Sequence, residues 1–325
     1  MANYKELDGF GVQTLATDPD SPGWVGSIFY NSTEGVFKTV KPGGLPAGTW
    51  SSGGNMNVAR GNDGASGGTS VNDAIITTGY TGTAASLSAE TYDGSSWTSI
   101  ANVNTARTGG TKGSVSGSST AFIFFGGTVP PITGATESWN GSSWTEVNDL
   151  NTARETIGGA GIQTAALGFG GETPAATGAT ESWNGTSWTE VNDLNNARAR
   201  PIGIGVQTAA LAVGGIPTAS SESWNGTSWT SITNLNSARY GGAGAGTQTA
   251  GLYSAGDLPP NTAKTESWDG SSWTEVADLA TARRGLFGSG AASSAVVSGG
   301  GTPAYTDITE EWNAPDLVIN TLTTS

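Results

Sequence analysis

The chain has 325 residues, with 13 Lys and Arg against 27 Asp and Glu for a net charge of −14, and it contains neither cysteine nor histidine. These numbers exclude disulfides, thiolate chemistry and imidazole bases or ligands, and with no basic run to grip a phosphate backbone they argue against nucleic-acid binding. No apolar run approaches the ~18 residues of a membrane span, and the opening MANYKELDGF lacks the charged-then-apolar pattern of an export signal, so neither membrane insertion nor Sec export is expected.

Residues 1–46 do not repeat. They read as short strands at 11–17, 27–30 and 36–40, broken by Asp18-Pro19, Ser21-Pro22-Gly23 and Pro42-Gly43-Gly44. So few residues cannot bury a substantial core alone, which predicts ordering by a partner or by further copies of the chain. The run from Pro22 to Lys38 carries a Pro-Gly pair, the aromatics Phe29-Tyr30, then Asn31-Ser32-Thr33, Gly35 and Phe37-Lys38. It resembles a short motif common in tailed-bacteriophage fibre and other virion proteins. The resemblance implies a place in the virion, other virion proteins or a homo-oligomer as partners, and Trp24, Phe29, Tyr30 and Phe37 as attachment side chains.

From residue 47 the chain repeats. The unit ESWNGSSWTEVNDLNTAR, Glu137 to Arg154, has near-copies beginning at Glu90, Glu181, Glu222 and Glu266, and a degenerate one at Glu310. An aromatic (Tyr92, Trp139, Trp183, Trp224, Trp268) stands five residues before a tryptophan (Trp97, Trp144, Trp188, Trp229, Trp273), which stands ten before an arginine (Arg107, Arg154, Arg198, Arg239, Arg283). Each unit contains four strand-sized pieces, the third and fourth joined by Asn-Gly or Asp-Gly, a pair suited to the positive φ of a tight hairpin. Four strands per repeat describe a propeller blade, with Gly and Ala at the crowded axis and tryptophan in the widening gaps. Six arginines, counting Arg60, predict an all-β, six-bladed propeller over residues 47–314, followed by a tail at 315–325. Trp50, ten residues before Arg60, is expected to supply the missing fourth strand of the last blade; residues 317–323 are the rival.

An arginine, a glycine-rich strand, a Gly-Gly doublet, an aromatic followed by Asp or Asn, and a tryptophan together resemble kelch repeats over residues 50–313. The doublet stands at Gly126-Gly127, Gly170-Gly171, Gly214-Gly215 and Gly299-Gly300, and drifts to Gly79-Tyr80 and Ala255-Gly256, whose blades should be less regular. The resemblance implies the propeller and almost nothing about activity.

Strand alternation puts Arg60, Arg107, Arg154, Arg198, Arg239 and Arg283 on one face with the repeat glutamates. The favoured reading is a ring of structural ion pairs. The alternative is a kelch-type adaptor that holds an acidic peptide at an arginine-lined mouth, as some kelch domains do. Variable loops at 127–136, 172–180, 216–221, 257–265 and 302–309 fall on this face, where recognition usually resides; their small polar side chains, with Tyr305 to stack on a sugar ring, suit a host-surface glycan or a neighbouring protein. Kelch propellers include a copper oxidase acting on galactose, and six-bladed propellers include sialidases. Without His or Cys this chain cannot build the oxidase site, and residues 91–97 depart from the sialidase Asp-box, so no enzymatic activity, cofactor or metal is expected. Asn-Gly-Ser/Thr matches the glycosylation sequon, but the turn accounts for it. The expected function is that of a bacteriophage virion structural protein (fibre, tail or capsid decoration) displaying a propeller.

Overall fold

The computed structural model describes residues 12–19, 27–42, 48–62, 64–111, 114–115, 117–216, 218, 220–257, 259–314 and 317–322, and every regular element among them is a strand. The first three are β1 (Gln13–Leu15), β2 (Ile28–Asn31) and β3 (Val36–Pro42), close to the predicted positions. Next comes β4 (Thr49–Ser52). The blades follow: β5 to β8 (Ala65–Ser70, Asp73–Thr77, Ala89–Tyr92, Trp97–Ser99), β9 to β12 (Ser114–Val115, Phe122–Phe125, Thr136–Trp139, Trp144–Val147) and β13 to β16 (Gly158–Ile162, Ala165–Phe169, Thr180–Trp183, Trp188–Val191). Then come β17 to β20 (Ile202–Val206, Ala209–Val213, Ser221–Trp224, Trp229–Ile232), β21 to β24 (Ala243–Gly246, Gly251–Asp257, Asn261–Trp268, Trp273–Val276) and β25 to β27 (Phe287–Ala291, Ser294–Ser298, Thr309–Asn313). The last strand is β28 (Leu317–Thr321).

The sixth blade has only three strands of its own, and β4 pairs antiparallel with β27 as the fourth, placing Trp50 opposite Trp312. The rival strand goes elsewhere. Antiparallel pairing of β28 with β3, Leu317 opposite Pro42, makes a separate sheet ordered β1-β2-β3-β28. The tail and the N-terminal appendage, read from the sequence as two segments, therefore share one sheet.

Within a blade the two inner strands are buried on both faces, while the fourth hides little beyond its tryptophan. Small residues at the axis are required by contact: a Cβ on Gly203 would stand 2.0 Å from the Gly159 carbonyl oxygen. The hairpin turn corrects one expectation. In Asn140-Gly141 only Gly141 has positive φ (+90°), and the asparagine is there for its side chain, whose Oδ1 accepts the Ser142 and Ser143 amides.

Blade irregularity also falls partly elsewhere than expected. Both blades with drifted doublets do carry a register shift, the first between Gly68 and Ser70 and the fifth between Ser254 and Gly256. In the first blade the doublet is Thr78-Gly79 (φ 61° and 93°), one residue earlier than the sequence suggests, because backbone conformation and not residue type defines it. The second blade, with an intact doublet, departs most: its short β9 runs parallel to β5 and β13. There the Thr111 hydroxyl donates to the Phe125 carbonyl and accepts the Phe125 amide, standing in for a ladder pair.

Neighbouring blades are stitched by recurrent bonds. The indole N–H of a fourth-strand tryptophan donates to the third-strand threonine of the preceding blade, Trp188 to Thr136, Trp229 to Thr180, Trp97 to Thr309 and Trp50 to Thr265, at 2.9–3.2 Å. Two blades break the pattern: in the second, Trp144 donates to the Ala101 carbonyl at 2.8 Å, position 89 being alanine, and in the fifth the bond is missing. Serine replaces threonine at 221, and both the Trp273 indole N–H and the Ser221 hydroxyl are buried without a partner. The second residue of each doublet donates its amide to the arginine carbonyl of the next blade, and Gly300 to Arg60 closes the ring at 3.0 Å.

Candidate functional site

Each repeat arginine precedes an inner strand and reaches the glutamate on the third strand of its own blade: Arg60–Glu90, Arg107–Glu137 (3.1 Å), Arg154–Glu181 (2.9 Å), Arg198–Glu222 (2.5 Å), Arg239–Glu266 and Arg283–Glu310 (2.7 Å). All six arginine side chains are 0% exposed. Further donors hold the glutamate: its second oxygen accepts a backbone amide from the segment entering the blade, Asn151 to Glu181 and Asn195 to Glu222 among them. Rings add to this, the Arg107 guanidinium lying 4.1 Å from the Phe124 centroid. Burial pulls the Arg107 pKa down to about 10, with Glu137 working against it. These arginines are therefore structural ion pairs inside the blade walls. None is open to a ligand, so the arginine-lined mouth of the adaptor reading is corrected by burial.

The mouth itself is made by the residues just after each arginine. Two positions on stand Asn62, Gly109, Thr156, Arg200, Gly241 and Gly285, all at φ between 54° and 66°. Their amides and carbonyls bond head to tail around the axis, Asn62 to Gly285, Gly285 to Gly241, Arg200 to Thr156 and Thr156 to Gly109. One position on stand Gly61, Thr108, Glu155, Ala199, Tyr240 and Arg284, each bridged to the residue after its blade's doublet. A cavity of about 370 Å³ opens over this ring, lined by Asn62, Glu172, Arg200, Ile216, Tyr240, Gly241, Arg284, Gly285 and Tyr305.

Its electrostatics are local. Asp257, nearly buried, accepts the Tyr240 hydroxyl at 2.8 Å and the Arg284 guanidinium at 2.7 Å. Burial chiefly, and Asp257 next, raise the Tyr240 phenol, while the charges of Arg200 and Arg284 oppose them. Tyr305, singled out in the sequence, meets Tyr80 edge-on at 5.7 Å between centroids. Among the described residues no group of three or more acidic side chains is placed to hold a metal.

A solved structure described as that of YjhT superposes with a TM-score of 0.66 at 11% identity, covering 83% of this chain and 99% of that one. The fold is a β-propeller. As many as 470 solved chains match it, so the architecture alone selects no activity. No protein-family profile and no curated protein sequence matches the chain.

The attachment side chains proposed from the sequence separate. Trp24 lies outside the described residues. Phe29 is 0% exposed, so it holds the appendage sheet together and presents no surface. Tyr30 and Phe37 are half-buried and pack at 5.1 Å, with Ile28 exposed nearby in sequence. The shared motif residues build the hairpin. Asn31 Oδ1 accepts the Thr33 and Glu34 amides, Gly35 takes φ +72°, and the Lys38 ammonium sits between Asp18 (2.7 Å) and Glu34 (2.5 Å).

Two sets of residues escaped the sequence reading. Arg200 and Arg284 lie outside the ten-residue register that counted the blades, and their off-register position was the available signal. Gln163, Gln207 and Gln248 each donate to the carbonyl of the preceding blade's first aromatic, Trp139, Trp183 and Trp224, at 2.5 Å. The recurring Gln-Thr pair at 163–164, 207–208 and 248–249 marks them.

Proposed function

We propose that this chain is a bacteriophage virion structural protein, built on kelch-like repeats, whose appended sheet attaches it to the particle and whose propeller is displayed for contact with the host surface or with neighbouring virion proteins. The observation that carries the reading is the hairpin β2–β3. Its sequence resembles the virion motif, and the residues that make the resemblance, Asn31, Gly35 and Lys38, are those whose bonds and turn fix the hairpin. A motif explained by a folded unit transfers as a unit, which favours a common attachment part over chance similarity. The Tyr30–Phe37 pair is the apolar contact surface in this reading.

The propeller supports display. The charges that recur in every repeat are internal, and what varies from blade to blade is gathered around the cavity and the loops beside it, the usual arrangement of a scaffold carrying recognition on its loops. The test is co-purification. Tagged full-length chain, expressed during infection by the phage that encodes it, should sediment with purified particles, whereas the Tyr30→Ala, Phe37→Ala double variant and residues 47–314 alone should stay in the supernatant. Full-length chain absent from particles defeats the proposal, and propeller alone incorporated as well as the full chain moves attachment to the loop face.

A further inference from the structure

The chain has eight arginines, and six are taken up by the buried pairs. The other two, Arg200 of the fourth blade and Arg284 of the sixth, both line the mouth cavity, with Tyr240 of the fifth blade between them in the ring. In a protein of net charge −14 this convergence runs against the average surface. Counter-charges are present: Asp257 engages one nitrogen of Arg284, and Glu172 stands on the cavity wall. Even so, 60% of the Arg284 side chain is exposed, and its ion pair uses one terminal nitrogen, Nη1.

Arg200 carries a second mark. It sits at φ +57°, a conformation that three equivalent blade positions give to glycine, Gly109, Gly241 and Gly285. A long side chain at a left-handed position is strained, and such strain collects where a site needs a particular group in a particular place. Nothing in the ring's backbone bonding requires arginine there, since glycine serves in the fifth and sixth blades.

We propose that the mouth cavity binds a small organic carboxylate, gripped by the Arg200 and Arg284 guanidinium groups and walled by the Tyr240 and Tyr305 rings. A planar guanidinium matches a carboxylate's two oxygens, and about 370 Å³ accommodates a small molecule and not a folded chain. The proposal is independent of the virion reading: it concerns the cavity whichever particle or cell carries the protein.

Matched probes test it by calorimetric or NMR titration of the full chain, benzoate against benzamide and malonate against malonamide. At least one carboxylate should bind saturably where its amide does not, and binding should weaken as salt rises. Arg200→Gly should lower that affinity about 10-fold or more while the melting temperature holds or rises, because glycine relaxes the strained position. Arg284→Gln should weaken it as well, and Glu172→Gln should strengthen it by removing a repelling charge from the wall. Equal binding of carboxylates and amides, no binding by either carboxylate, or an Arg200→Gly variant that binds like the parent would each overturn the site.

Discussion

Ser221→Thr should stabilise the propeller. The hydroxyl of Ser221 and the indole N–H of Trp273 are buried and unpartnered, at the one threonine-to-serine change among the stitches between blades. At the equivalent boundaries Thr136, Thr180, Thr265 and Thr309, each 0% exposed, accept the tryptophan at 2.9–3.2 Å. The β-branch limits χ1, so threonine holds its oxygen where serine's is free to turn away. The new hydrogen bond is worth ~1 kcal/mol and the buried methyl ~0.8 kcal/mol, giving roughly 1–2 kcal/mol. For a chain of this size that is roughly 2–4 °C in melting temperature, measurable by calorimetry, with urea unfolding as the check. A companion pair sharpens the result. Trp229→Phe breaks a bond that Trp273→Phe does not, so the former should cost ~1 kcal/mol more. A Ser221→Thr variant that is neutral or less stable, together with equal costs for the two phenylalanines, would refute the reasoning.

Replacing Arg198 by methionine should destabilise by ~3–5 kcal/mol in urea unfolding, because Glu222 is left charged and buried. Gln207→Ala should cost ~1–2 kcal/mol, and Gln163→Ala and Gln248→Ala should add to it, since each lies at a different blade boundary. The Asp93 carboxylate, accepting the Ser95 and Ser96 amides, is held down to about pKa 2. A depressed carboxylate contributes stability above its unfolded pKa near 4 and loses it as pH falls toward 2, so Asp93→Asn should flatten the acid limb of a stability–pH curve and, at pH 7, should lack the part of the stability that the charge supplies. Removing residues 1–46 together with 315–325 should leave a folded propeller by circular dichroism, whereas extending the cut through Ser52 removes β4 and should lower the melting temperature further.

The blade count was legible because constant five- and ten-residue spacings report strand and turn lengths directly, and Trp50 was placed by the same ruler. The ion pairs were legible for the same reason, down to the side of the blade they share. Three features were not. Thr78 does the work of a doublet glycine by adopting φ 61°, which residue identity does not advertise. The partner of β28 lies far off in sequence, at β3, and no local pattern encodes such a pairing. Six of the nine residues lining the cavity follow the arginines by one or two positions, and these vary between blades, so a repeat-based alignment treats Arg200 and Arg284 as drift; the other three, Glu172, Ile216 and Tyr305, lie in the variable loops the sequence did mark.

The placement of β28 beside β3 makes the propeller an insertion within the appendage sheet. The chain leaves that sheet after Pro42 and returns to it at Leu317, while Thr49 and Asn313, at the two ends of the inserted body, lie opposite one another in the sixth blade. Two adjacent strands, and not one tether, therefore connect the parts. The same geometry makes the propeller exchangeable: any body whose ends meet side by side fits between the same two strands without disturbing their pairing.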